Sequence, residues 1–260
     1  MKSFKDQIRL LLPGKMKGYL LNRMKDLFSP ALAIVARDSI SYYEDGLLLE
    51  GKNAEFLANP LFVSSYLAGE STGSWNNDVI RWRIHILCWA ARHAVHLAGD
   101  FVECGVNKGG SALAVTNYVD FGKLDKKFYL LDTYDGIVDE DISDEERSYG
   151  IDLYKYEDCY ELVKVVFQEY QNIEIIRGRV PDTLRYVDTQ KVCYLHIDMN
   201  NAAPEIAAGE FFWDRLVGGA LVLLDDYGFS KHYVQKRAWD RFAAQHDVEV
   251  LTRLLQLQRG

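Results

Sequence analysis

Five acidic residues stand at or just past the ends of short apolar runs: Glu103 in DFVECGV, Asp132 in KFYLLDTY, Asp198 in VCYLHIDM, and Asp225 with Asp226 in GALVLLDDY. Carboxylates gathered on one rim repel one another unless a cationic or hydroxyl-bearing ligand lies among them. The first run leads straight into a glycine turn, ECGVNKGGS, which holds Gly105, Gly109, Gly110 and Ser111. Glycine has no side chain and accepts positive φ, so such a turn lets backbone N–H groups approach a ligand closely. The spacing is not the GxGxxG of dinucleotide-binding turns. An acid two residues before the first glycine also suits an ammonium group better than a pyrophosphate.

Asp132 closes the second run, placed to accept hydrogen bonds from both hydroxyls of a ribose. Asp198, Asp225 and Asp226 offer three oxygens to a hard cation such as Mg2+. Such a cation lowers the pKa of a bound hydroxyl and orients it. Plain structural roles stay open at each position: a tight strand-to-helix turn, an aspartate capping the next turn, a DDY helix start. His196 precedes Asp198 by two residues and so shares its strand face. His232 follows DDYGFSK closely enough to reach a substrate as a general base. His85, His93 and His96 lie in a helical run and read as packing or surface residues.

The elements that must position these groups can be read from hydropathy. Residues 78–98 carry Ile80, Ile84, Leu87, Cys88, Ala91 and Val95 at helical spacing, which predicts a long helix ending near Gly99. Strand and helix then alternate five times, with wholly apolar strands. That pattern predicts an α/β fold built on a doubly wound, mostly parallel sheet with helices on both faces. In such sheets ligands sit at the carboxyl ends of the strands, where the acids fall. The acidic run 138–147 predicts a solvated loop or a lid. Residues 1–77 read as an N-terminal helical and loop extension, an oligomer arm or a substrate cover, and residues 78–260 as the main domain. The aromatic residues Tyr42, Tyr43, Phe62, Tyr66 and Trp75 suggest an aromatic lining for the substrate side.

The chain has 260 residues, 48% hydrophobic and 26% charged, enough for a substantial core. Its net charge of −8 argues against a nucleic-acid partner. The charge is uneven: residues 1–26 carry a net +5 interleaved with leucines. This segment reads either as an arm packing on its own domain or on a second subunit of a homo-oligomer, or as a weak peripheral contact with an anionic membrane. Four cysteines without CxxC spacing predict reduced, buried thiols and a cytoplasmic protein. No apolar run reaches the roughly 18 residues of a membrane span.

Taken together and in order, FVECGVNKGGSA, LLDTYDG, GRVPDTL, LHIDMN and FFWDRLVGGALVLLDDYGF resemble the macrocin O-methyltransferase (TylF/MycF-like) family over about residues 78–245. The resemblance implies a Rossmann-like class I methyltransferase fold with S-adenosylmethionine as methyl donor. It also implies transfer to a hydroxyl of a small molecule, often a sugar of a natural product, commonly with Mg2+. On that resemblance Glu103, Gly105, Gly109, Gly110 and Ser111 would surround the methionine part of the cofactor. Asp132 and Thr133 would hold the ribose, and Gly178, Arg179 and Val180 would border the adenine. Asp198, Asp225 and Asp226 would be the metal positions, with Asp198 also near the cofactor. The catalytic candidates are Asp198 and, from its position after DDYGFSK, His232.

The sequence departs from the family pattern where Asn200 and Ala202 replace an aspartate and a tyrosine. Asn201 stands where related catechol-type enzymes have a lysine. The last segment, LTRLLQLQRG, lacks the usual turn; either the chain ends early or a last strand is rebuilt from Leu254 to Leu257. These departures leave an alternative open: a non-catalytic S-adenosylmethionine-binding or assembly protein with a degenerate metal site.

Overall fold

The computed structural model describes residues 40–251 and the backbone of 257–258. The basic segment 1–26 therefore lies outside the described residues. The chain forms two compact units, one up to Ala54 and one from Glu55 onward. In the first, β1 (Ile40–Glu44) and β2 (Leu47–Glu50) pair as an antiparallel hairpin. Asp45 and Gly46 both have positive φ, at 50° and 72°, as a two-residue hairpin turn that matches strand twist requires.

The second unit opens with α1 (Pro60–Glu70), whose start is set by Asn59. The Asn59 side chain accepts from the N–H groups of Leu61 at 2.9 Å and Phe62 at 3.2 Å, and Pro60 follows at the first helical position. The helix expected over 78–98 is α2 (Arg81–Ala94). The alternation follows as predicted: β3 (Asp100–Cys104), α3 (Gly110–Val119), β4 (Phe128–Asp132), α4 (Asp144–Ser148), α5 (Tyr160–Phe167), β5 (Ile173–Arg177), β6 (Val192–Ile197), α6 (Ala202–Trp213), β7 (Leu216–Leu224) and α7 (Tyr233–Gln245). A last short strand, β8 (Leu257–Gln258), pairs antiparallel with β7 through Leu221 and Val222. A last strand is thus present, but at Leu257–Gln258; residues 254–256 of the span expected from sequence, Leu254 to Leu257, lie outside the described residues.

The sheet order is β5-β4-β3-β6-β7-β8, and every pair but the last is parallel. Strands buried on both faces explain the unbroken apolar runs. On one face Phe101, Leu130, Tyr194 and Leu223 pack with Ile84, Leu87 and Ala91 of α2. On the other, Val102, Leu131, Leu195 and Val222 meet Phe212 of α6 and Trp239 and Phe242 of α7. The four cysteines are free and buried, as their apolar settings suggested. No helix among the described residues is long and apolar enough to cross a membrane.

The acidic run 138–147 is more ordered than a solvated loop. Ser143 and Glu146 form a reciprocal capping box at the start of α4. The second Glu146 oxygen reaches out of that box and accepts the Ala202 N–H at 2.7 Å, holding α4 against the start of α6.

The chain order reverses between β3 and β6, and the two strand ends come very close there. The Asp198 N–H donates to the Cys104 carbonyl at 2.8 Å, while the Gly105 N–H donates across to Leu131 at 2.8 Å. Gly105 has φ 87°, and a Cβ there would stand 1.8 Å from the Asp198 carbonyl oxygen. Gly105→Ala is therefore expected to cost about 1–2 kcal/mol of left-handed strain plus roughly 1–3 kcal/mol of overpacking. For a unit of this size that lowers the thermal midpoint by about 10 °C. A midpoint within about a degree of the parent would refute so close an approach.

Candidate functional site

At the carboxyl ends of β3, β4 and β6 the sheet opens into a cleft of about 910 Å3, counted with its open mouth. Its wall includes Glu103, Gly105, Ser111, Asp132, Thr133, Gly178, Arg179, Val180 and Asp198, nine of the residues singled out from sequence. Gly109 and Gly110 stand one step back, where Gly109 precedes the first turn of α3 and Gly110 begins it.

One carboxylate organises the cleft. Asp132 Oδ2 accepts the N–H groups of Val106 at 2.6 Å and Asn107 at 2.7 Å, and Oδ1 accepts that of Tyr134 at 2.7 Å. It thus ties the glycine turn after β3 to the turn after β4. Thr133 supports the second turn by donating its hydroxyl to the Gly136 carbonyl at 2.6 Å. From the other side Ser74 Oγ accepts the Gly110 N–H at 2.9 Å. Trp75 packs so close that a Cβ on Gly110 would meet its ring nitrogen at 3.0 Å. Arg179 is held by a forked ion pair to Asp141, which fastens the acidic segment along the cleft wall.

Of the three aspartates Asp198, Asp225 and Asp226, Asp198 lies on the cleft wall and the other two stand off it. Burial, reinforced by Asp225 and Asp226, pushes its carboxyl well above the usual range. Asp225 Oδ2 pairs with Arg83 of α2 at 2.6 Å. Asp226 turns the other way: Oδ2 accepts the Asn200 N–H at 3.0 Å, and Oδ1 is 3.5 Å from His232 Nε2. Burial and the neighbouring Asp225 push Asp226 up to about 7. Burial likewise raises Glu205, which accepts the indole N–H of Trp239 at 2.8 Å.

Behind Asp198, Glu103 and His196 face each other on adjacent strands, with Oε2 and Nδ1 3.2 Å apart and both side chains 1% exposed. Burial raises the Glu103 carboxyl, opposed by the imidazole. Burial works against a charged His196, but Glu103 outweighs it and raises that pKa.

His232 stands behind Asp226 rather than on the cleft wall. The Gln235 amide nitrogen lies 2.6 Å from Nδ1, and Tyr154 Oη lies 3.4 Å from Nε2. With the amide donating to Nδ1, the ring proton sits on Nε2 and faces Asp226. Several contributors escaped the sequence reading. Arg83 and Gln235 sit on helices at positions no motif marks. Ser74, Asn107 and Tyr156 are brought to the site only by tertiary packing.

Burial lowers His232 to about 4 from 6.5. Between those values the unfolded chain binds a proton that the folded chain refuses, so this residue's contribution to stability falls as pH drops. The full difference is about 3 kcal/mol. His232→Gln should therefore lose less stability than the parent between about pH 6.5 and 4 in a urea-denaturation series; parallel curves would contradict the burial effect.

The family model for macrocin O-methyltransferase (TylF) matches residues 83–254. Among solved structures, the O-methyltransferase NovP shares 19% identity and a TM-score of 0.61, covering 80% of this chain and 99% of its own. The calicheamicin methyltransferase CalS11 shares 14% identity and a TM-score of 0.54, covering 100% of this chain and 98% of its own. A putative caffeoyl-CoA O-methyltransferase from Staphylococcus aureus gives 13% and 0.52, over 79% of this chain and 95% of its own. No curated protein matches the chain in sequence. The structural matches establish the Rossmann-like methyltransferase fold, and the family match spans most of the chain, from α2 to beyond α7. The chain belongs to the macrocin O-methyltransferase (TylF) family of S-adenosylmethionine-dependent O-methyltransferases.

Proposed function

We propose that the cleft binds S-adenosylmethionine and that the enzyme methylates a hydroxyl of a sugar or another natural-product small molecule. The observation that carries this reading is the glycine turn held by Asp132 at the strand crossover, opening on the cleft that Glu103, Asp132 and Asp198 line. Glu103, Gly105 and Ser111 border the methionine end, with Gly109 and Gly110 shaping the turn behind them. Asp132 and Thr133 stand at the ribose, and Gly178, Arg179 and Val180 at the adenine. NovP and CalS11 are themselves methyltransferases, the latter described as a TDP-rhamnose 3'-O-methyltransferase, which favours a sugar acceptor.

S-adenosylmethionine supplies the electrophilic methyl group. The chain's own contribution is alignment and exclusion of water: Trp75, Tyr156 and the segment bearing Ile137 and Val138 wall the cleft. Asp198, the one of the three aspartates after β6 and β7 on that wall, is placed to take the hydroxyl proton as the methyl is transferred. A divalent cation fits the donor chemistry of Asp198 and Asp225, carboxylates from adjacent strands that repel each other without one. Such an ion would lower the pKa of the acceptor hydroxyl. Asp226 would join only by leaving Asn200 and His232.

Calorimetry with S-adenosylhomocysteine tests the cofactor site, and transfer of labelled methyl onto a panel of nucleotide sugars and glycosides tests the acceptor. Tight binding with turnover on a hydroxylated sugar is expected; no binding of either cofactor form would sink the reading. Asp198→Asn should lower kcat by roughly 10²–10⁴-fold while S-adenosylhomocysteine affinity changes less than about tenfold. A parallel loss of both would make Asp198 a cofactor ligand rather than the base.

A further inference from the structure

Glu103 and His196 form a buried pair that proton transfer at Asp198 does not use. The pair sits directly beneath the part of the rim where Asp198 and Asp225 approach each other. Strand period places His196 and Asp198 on one face of β6, and the parallel register sets His196 opposite Glu103 on β3 and Leu223 on β7. One ligand atom each from His196, Asp198 and Asp225 lies within 4.8 Å of the others, close enough for one ion to bridge all three. Among the described residues this is the only such group of histidine, cysteine and carboxylate side chains.

The imidazole itself is the second, independent observation. It is 1% exposed, Nδ1 faces Glu103, and Nε2 has no hydrogen-bond partner among the described residues. A buried ring nitrogen without a partner carries a desolvation cost of about 1–3 kcal/mol. Glu103 Oε2, at 3.2 Å from Nδ1, approaches the ring from behind. A carboxylate behind an imidazole is the usual way a metal-ligating histidine is held in orientation and made more basic.

We propose that His196, Asp198 and Asp225 bind one first-row divalent cation, with Glu103 orienting the imidazole through Nδ1 and leaving Nε2 to ligate. This deepens the reading above, since it places the ion beside the acceptor end of the cleft. It also changes the donor set: an imidazole nitrogen takes the place expected for Asp226. Mg2+ binds through oxygen and keeps much of its water, whereas imidazole suits Mn2+, Co2+ and Zn2+. The site is therefore selective for Mn2+ or Co2+ over Mg2+. Arg83 holds Asp225 Oδ2 at 2.6 Å, so the ion takes the other oxygen of that carboxylate. A divalent charge then offsets the acids that one guanidinium leaves unbalanced.

The test uses the full chain, stripped of metal and titrated with Mn2+ while the signal of free Mn2+ is followed by electron paramagnetic resonance. Pulsed measurements on the bound ion report whether a nitrogen is directly coordinated. Expected are one bound Mn2+ per chain, nitrogen modulation, and displacement by Mg2+ only at large excess. His196→Gln should abolish the modulation. It should also weaken binding by at least the roughly 10–100-fold that outer-shell partners command. Glu103→Gln should weaken binding over that same range with modulation retained. Bound Mn2+ without nitrogen modulation overturns the proposal, as does the absence of stoichiometric binding. The parent spectrum decides the matter by itself if His196→Gln does not fold. S-adenosylhomocysteine binding, measured on the same metal-free protein, separates failure of the cation site from failure of the cofactor reading.

Discussion

The site depends on one shared carboxylate. Asp132 accepts backbone N–H groups from two different loops, all at 2.7 Å or less, and so fixes the turn after β3 relative to the turn after β4. Hydrogen bonds to an ionised acceptor are about twice as strong as neutral ones. The glycine turn therefore does not need a ligand to adopt its shape. Gly105 supplies the other half of the constraint, because only a residue without Cβ permits the Asp198 backbone to pass where it does. Cleft floor, cofactor turn and proposed base are consequently parts of one rigid crossing of strands.

Around that crossing the protein concentrates negative charge and then neutralises it unevenly. Arg83 offsets Asp225, Gln235 and His232 form a neutral support beside Asp226, and the Trp239 indole caps Glu205. Asp198, unlike Asp225, Asp226 and Glu205, lies on the cleft wall, with its pKa raised by burial and by its like-charged neighbours. Similar carboxylates are thus given different tasks by what each one touches. Those contacts separate a structural aspartate from one free to meet a substrate.

The fold was largely legible because the strands are buried on both faces and therefore written as unbroken apolar runs. Each run ended close to its acid, so Glu103, Asp132 and Asp198 could be placed at one cleft from strand ends, while Gly178, Arg179 and Val180 came from the family resemblance. What could not be read is the direction of the side chains beyond the strand ends. Asp225 and Asp226 are adjacent in sequence, yet one turns to Arg83 and the other to Asn200, because a short helical turn follows β7. Sequence spacing treats the two as equivalent. The acidic segment 138–147, read as a solvated loop or a lid, keeps Asp139, Glu140, Asp144 and Glu145 exposed. What spacing could not show is that Glu146 is buried to satisfy a helix start distant in sequence.

The hydroxyl of Ser74 at the start of α3 bears on how the molecule folds. Helix α3 has no side-chain cap of its own, and borrows one from a residue 36 positions earlier. Gly69 of α1 lies so close to the Gly110 carbonyl that a Cβ would approach it to 2.4 Å. The first turn of α3 thus cannot be completed by local contacts; it waits for α1 and the segment after it to dock, which closes a long loop first. The geometry of the glycine turn is in this way conditional on the tertiary structure around it.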